Sequence, residues 1–167
     1  MLSIMSREYW VIAALAIASV LLVTVLGRRG KTRESLFLLL MAQSLGWPVT
    51  ILLVFAGKIE SPIRLFPKAT DSNFILAYVF FPATFVAYYW HYPRHKSRIL
   101  QIAYTLAVAG GLALLHVAVQ KYTDLLKYIT FSGYKFWLIT VIMYYTARIY
   151  SDWYFSQLAK GRSGTLR

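Results

Sequence analysis

Acid–base, nucleophilic and metal chemistry all require particular side chains held close together, and this chain is poor in them. It has three histidines, six acids and no cysteine among 167 residues. No HExxH, GxSxG, DxxxD-type or paired-carboxylate motif is present. The lack of cysteine removes disulfides, thiolate ligands and cysteine nucleophiles. No catalytic residue, metal ligand or cofactor is therefore assigned, and the chain is not expected to be an enzyme.

The chemistry that remains belongs to polar groups inside apolar runs. Gln43, Ser44, Tyr78, His116, Arg148 and Asp152 are the candidates for an intramembrane polar cavity. Arg148 and Asp152 stand four apart, on one helical face, where they neutralise each other. Their first reading is a structural anchor near a membrane surface, and their second is a site. His116 is placed to meet Tyr78 or Lys135. Pro48 and Pro82 lack the N–H that would bond the carbonyls of Ser44 and Tyr78, so each is expected to kink its helix. Plain shaping is preferred to the broken-helix binding sites of transporters. The run His91-Tyr92-Pro93-Arg94-His95-Lys96-Ser97-Arg98 makes His91, Arg94, His95, Lys96 and Arg98 a candidate headgroup-binding set. It is a poor metal site, because no carboxylate or thiolate is near in sequence and the cations repel a metal.

The elements that must position these groups are hydrophobic spans. Apolar residues make up 59% of the chain and charged residues 14%, against about 45–50% and about 25% in an average soluble domain. A soluble fold needs more charge to cover its surface. Five stretches approach the roughly 20 apolar residues that cross a bilayer: 9–26, 36–56, 74–90, 99–119 and 136–155. The fold expected is a single domain, an all-α integral membrane bundle of five transmembrane helices. Residues 120–134 become a connection whose stretch KYTDLLKYITF is amphipathic enough to lie on the membrane as a surface helix. The first span reads as uncleaved, because its flanking Arg7 and Glu8 cancel and GRRGKTR follows at once.

Net charge is +12. Eleven of the eighteen Lys and Arg fall on one side: Arg28, Arg29, Lys31, Arg33, Arg94, Lys96, Arg98, Arg148, Lys160, Arg162 and Arg167. On the other side Arg7, Lys58, Arg64, Lys68, Lys121, Lys127 and Lys135 are diluted by Glu8, Glu60, Asp71 and Asp124. The positive-inside bias then places the N-terminus outside and the C-terminus in the cytoplasm. Anionic headgroups account for the basic charge, so no nucleic acid is expected as a partner, nor any soluble cofactor. Aromatic residues near span ends, including Tyr9, Trp10, Tyr88, Tyr89, Tyr92 and Trp153, fit interfacial belts.

Small residues let membrane helices approach closely. Ala103, Ala107 and Gly111 form one such row in the fourth span, and Ala109 and Ala113 a second; Ala103, Ala107 and Gly111 are taken as helix-packing residues. Packing within the bundle is the first reading and a dimer or partner face the sharper one.

Phe81-Pro82-Ala83-Thr84, followed by Tyr92-Pro93 eleven residues after the first proline, resembles a family of small multi-pass membrane proteins of spore-forming Gram-positive bacteria. The likeness extends over about Asp71 to Phe155. Where that family carries an aromatic–Asn pair entering its last span, this chain has Tyr134-Lys135. The resemblance implies a bacterial cytoplasmic-membrane location and a sporulation or germination setting. It implies no reaction, ligand or catalytic residue.

The function expected first is an interaction or accessory subunit of a membrane assembly, with membrane lipids and another membrane protein, or a second copy, as partners. The alternative is a small-solute or ion transporter or channel. Against it, no acid lies deep in any span and no internal repeat is visible. A lipid-modifying enzyme ranks third, with His91 and His95 as its only opening.

Overall fold

The computed structural model describes residues 2–27, 30–63, 65, 68 and 72–164. Arg28, Arg29, Arg64, Asp71 and Arg167, counted in the charge bias, lie outside them. The described chain is mainly helical, with two short strands and the turns and loops between them. Helix α1 is Leu2–Val25, α2 is Thr32–Phe55, and a π-helical segment, Ile75–Phe80, leads directly into α3, Phe81–Trp90. Helix α4 is Arg98–Tyr122 and α5 is Gly133–Gly164. Three of the helices are long and apolar enough to cross a membrane: Arg7–Val25 within α1, Thr32–Phe55 and Arg98–Tyr122.

The segment expected as the third span, Ile75–Trp90, is a shorter apolar helix than those three and is the most enclosed. It packs against α1 and α2, while α4 lies on α5 and α2 also meets α5. Phe81, Pro82, Ala83, Phe85, Val86, Tyr88 and Tyr89 are all buried. Sequence patterning places Tyr88, Tyr89 and Tyr92 in an interfacial belt, but the structure corrects this. All three lie in the core, where Tyr88 packs on Tyr144 (ring centroids 5.1 Å apart) and Tyr104 (5.5 Å). A helix surrounded by its neighbours has little outer surface for its rings to reach. Trp10 and Trp153, on outer helices, do stay exposed.

Each peripheral helix buries one stripe. On α1 it is Glu8, Ile12, Leu15 and Ser19, and on α2 Ser35, Leu38, Ala42 and Gly46, both at helical spacing. On α4 the stripe is Thr105, Ala109, Leu112, Ala113 and Val119. Ala103, Ala107 and Gly111 are exposed, so the expected packing row points away from the bundle. The two rows lie two positions apart, about 200° around a helix that turns about 100° per residue, and so face opposite ways.

The connection after α4 is a second correction. Residues 120–134 form no surface helix. Thr123 caps α4 in an extended conformation, its hydroxyl donating to the Val119 carbonyl at 2.6 Å. The chain then forms β2 (Lys127–Tyr128), antiparallel to β1 (Ile59–Glu60), with Ile59 opposite Tyr128. The adjacent residues Leu125 and Leu126 are both buried, which the outer face of a surface helix would not allow. Helix α2 delivers β1 through a tight stop at Gly57 (φ +62°). The Gly57 N–H bonds the Val54 carbonyl, and the Lys58 N–H bonds that of Leu53. That reciprocal pairing requires a left-handed residue, and glycine adopts it without a Cβ clash. The bundle thus has a ribbon end, with β1, β2 and the start of α1, and an opposite end carrying the basic loop before α4.

Candidate functional site

Polar side chains gather in three places. The first is the middle of the third span. Pro82 has no N–H to give the Tyr78 carbonyl. Just before it the hydrogen-bond register widens by one residue, and the Phe81 N–H bonds the Leu76 carbonyl. Gln43 Nε2 donates to the freed Tyr78 oxygen at 3.4 Å. The Phe81 carbonyl accepts from both the Thr84 hydroxyl (2.7 Å) and the Tyr144 hydroxyl (3.1 Å). Irregular backbone inside the bundle is tolerated because α2 and α5 supply donors, Gln43 and Tyr144. Ser44 faces outward and bonds only within its own helix, to the Met41 carbonyl and sulfur. Pro48 lies inside the continuous span of α2.

The second place is the basic end. Asp152 Oδ1 accepts from the Tyr89 hydroxyl (2.8 Å) and Arg94 (3.2 Å), and Oδ2 accepts from Arg148 (3.2 Å). The Arg94 guanidinium lies 4.3 Å over the Tyr89 ring, and that of Arg148 4.3 Å over Tyr92. Gln101 Nε2 donates to the carbonyls of Arg94 and Lys96, while Gln101 Oε1 accepts from the Tyr92 hydroxyl. The Tyr92-Pro93 loop is therefore tied to α4 and α5 from three directions. Of the candidate headgroup set, Arg94 turns inward to this knot. His91 is exposed, its Nδ1 3.0 Å from the Ala87 carbonyl, and His95, Lys96 and Arg98 face outward.

The third place is a partly open cavity of about 70 Å³ at the ribbon end. Its deep walls come from α2 (Gly46, Leu53), the third span (Leu76, Phe81) and α5 (Ile139, Met143). Polar groups collect toward the ribbon at Ser61, Ser72, Asn73, His116 and Tyr128, and Thr50 and Thr140 also line the walls, their hydroxyls donating to the Gly46 and Phe136 carbonyls. His116 stacks on Phe136 with centroids 3.8 Å apart, and its Nδ1 lies 3.4 Å from the Tyr128 hydroxyl. Burial pushes the Tyr128 phenol up to about 12, so it keeps its proton at physiological pH. Asn73 is 3% exposed and leads the third span as its cap, Oδ1 accepting the Leu76 N–H at 3.2 Å. Its Nδ2 has no hydrogen-bond partner. A buried donor left unmade costs about 1–3 kcal/mol.

The six residues expected to frame one cavity therefore divide. Gln43 and Tyr78 meet, Arg148 and Asp152 meet at the far end, His116 alone lines the ribbon-end cavity, and Ser44 joins none of these. Asn73 was missed, although an Asn just before the run Phe-Ile-Leu is a helix-start signal. Glu8 was missed too. Its carboxylate is 0% exposed, and Oε1 accepts the Asp124 N–H at 3.2 Å and faces Arg7 at 3.4 Å, joining α1 to the segment after α4. Among the described residues no group of three or more His, Cys, Asp or Glu could hold a metal ion. Comparison with known protein families, with curated proteins and with solved structures finds no match to this chain.

Proposed function

We propose that this is a multi-pass protein of a bacterial cytoplasmic membrane that acts by binding, and that its binding element is the ribbon-end cavity. All five helices cross in this reading, with the N-terminus outside, so the cavity lies in the outer half of the membrane. The observation that carries it is the cavity's composition: apolar and aromatic walls with a few polar groups at one end, the usual make-up of a small-molecule site. An occupant would be apolar or amphipathic. Native mass spectrometry of the protein extracted under mild conditions tests this. A retained small molecule, lost when Gly46→Val narrows the cavity, is the expected result. Loss of nothing on that substitution, or no retained molecule at all, overturns it.

An accessory role in a membrane assembly is supported by a separate observation. Ala103, Ala107 and Gly111 face outward, and a Cβ added at Gly111 would meet nothing within 4 Å. A small-residue row turned to lipid lets another helix approach closely. Co-purification of a partner or a second copy, weakened by Gly111→Ile, is expected. A lone monomer after gentle extraction counts against it.

A further inference from the structure

We infer that the basic end holds an anionic phospholipid at the start of α4, with Lys96 and Arg98 on its headgroup and its acyl chains along Ile99 and Ile102. This site lies at the opposite end of the bundle from the cavity and does not depend on it.

Three separated stretches of the chain bring cations to this end. The start of α2 is held there by the Trp90 indole, whose Nε1 donates to Ser35 Oγ at 3.0 Å, and by Phe37, stacked on Tyr154 with centroids 4.2 Å apart. The loop before α4 is held to the end of α5 by Arg94 on Asp152. The carboxylates in this cluster are already engaged. Glu34 faces Lys31 at 2.7 Å, and Asp152 faces both Arg94 and Arg148 at 3.2 Å. Among the described residues, Arg33, Lys96 and Arg98 are exposed and no carboxylate lies within ion-pair distance of them. Cations gathered without counter-charge attract an anion.

Lys96 and Arg98 are displayed on a loop of settled shape. Gln101 Nε2 donates to the carbonyls of Arg94 and Lys96, the Lys96 N–H bonds the Pro93 carbonyl at 3.1 Å, and Ser97 Oγ accepts the Leu100 N–H at 3.4 Å. A loop fixed beforehand loses little freedom on binding. The residues that follow identify the anion. Ile99 is 81% exposed, and exposed Ile102 stands one turn along the face of Arg98. They belong to a helix long and apolar enough to cross a membrane. A soluble anion would meet the charges and leave these side chains bare. A phosphate joined to acyl chains covers both at once. Arg33, followed on its own face by exposed Leu36 and Leu40, repeats the arrangement at the start of α2.

The test is native mass spectrometry of the full-length protein in mild detergent. It is titrated with equal amounts of phosphatidylglycerol and phosphatidylcholine of the same chains, which differ in net charge. Each cation at an anionic headgroup is worth about fivefold, so phosphatidylglycerol should be retained at least about tenfold over phosphatidylcholine. Lys96→Gln and Arg98→Gln should each lower that preference about fivefold. Lys121→Gln, an exposed cation at the ribbon end, should leave it unchanged. Glycerophosphoglycerol, the same headgroup without chains, should not displace the lipid. Equal retention of the two lipids overturns the assignment, as does a loss on Lys121→Gln equal to that on Arg98→Gln. Displacement by the free headgroup at the lipid's own concentration shows a soluble-anion site and overturns it too. Retention abolished by Gly46→Val would move the lipid to the cavity, which overturns this site and leaves the cavity reading standing. If a variant does not fold, the lipid comparison and the headgroup competition on the unaltered protein decide the matter.

Discussion

The Tyr78 carbonyl, left free by Pro82, accepts from Gln43 Nε2, so a side chain on α2 completes a hydrogen bond that the third span cannot make for itself. Interhelical hydrogen bonds in membranes average about 0.6 kcal/mol. Gln43→Leu should destabilise by about that amount in the parent and by less in a Pro82→Ala background, where a backbone N–H is restored. A double-mutant cycle on thermal unfolding in detergent checks this, and strict additivity of the two changes would refute it. At the other end, Asp152 answers two guanidinium groups and one phenol. Asp152→Ala leaves Arg148, whose side chain is only 14% exposed, facing Arg94 without a counter-charge. A loss of about 1–3 kcal/mol is expected, against about 0.5–1.5 kcal/mol for Tyr89→Phe, which removes a single hydrogen bond. Equal losses for the two variants would show that the charge arrangement contributes nothing beyond that bond.

At the scale of the element, α4 offers two small-residue rows, and the bundle uses the one built on Ala109 and Ala113. Helix α5 lies along it, with Trp137 Nε1 donating to the Leu106 carbonyl at 3.2 Å and Phe136 stacked on His116. Ala109→Ile should overpack this contact and cost about 1–3 kcal/mol. Ala103→Ile, on the exposed row, should leave the unfolding temperature of the monomer unchanged. The reverse ranking would mean that α4 is rotated. The π-helical segment belongs to this scale as well. Proline at position 82 and the shifted register before it are one device, because a residue without an N–H follows directly on the bond that ends the wider turn.

For the whole molecule, the ribbon and the basic loop mark opposite ends. Five crossings with the N-terminus outside would place Glu60 outside and His95 in the cytoplasm. Because the chain has no cysteine, a single introduced thiol reports one position without background. In intact cells a membrane-impermeant maleimide should label Glu60→Cys and should reach His95→Cys only after lysis. Both positions are exposed. Labelling of both from the same side would exclude an odd number of crossings between them.

Much of this architecture was legible from composition alone. The limits of the apolar runs fall within four residues of α2 and α4 and within one of the end of α1, which starts seven residues before its run, since a segment rich in Leu, Val and Ala has few alternatives to a helix. The Arg148–Asp152 contact follows from four-residue spacing, and the carbonyl freed by Pro82 follows from the chemistry of proline. Other features had no local signal. Helices that are apolar all round carry no moment to say which side is inward, so the outward turn of Ala103, Ala107 and Gly111 and the burial of Tyr88 and Tyr89 depended on which neighbour came to lie where. Lys127 and Tyr128 form a strand because β1, more than sixty positions earlier in the chain, offers them a partner. The ribbon-end cavity exists only where the ribbon, α2, the segment Ile75–Trp90 and α5 close around one space. Local sequence determined which segments leave water and where polar groups are freed. The tertiary structure decided which of those groups meet, because in hydrocarbon the choice of neighbours rests on side-chain shape and donor–acceptor matching across helices.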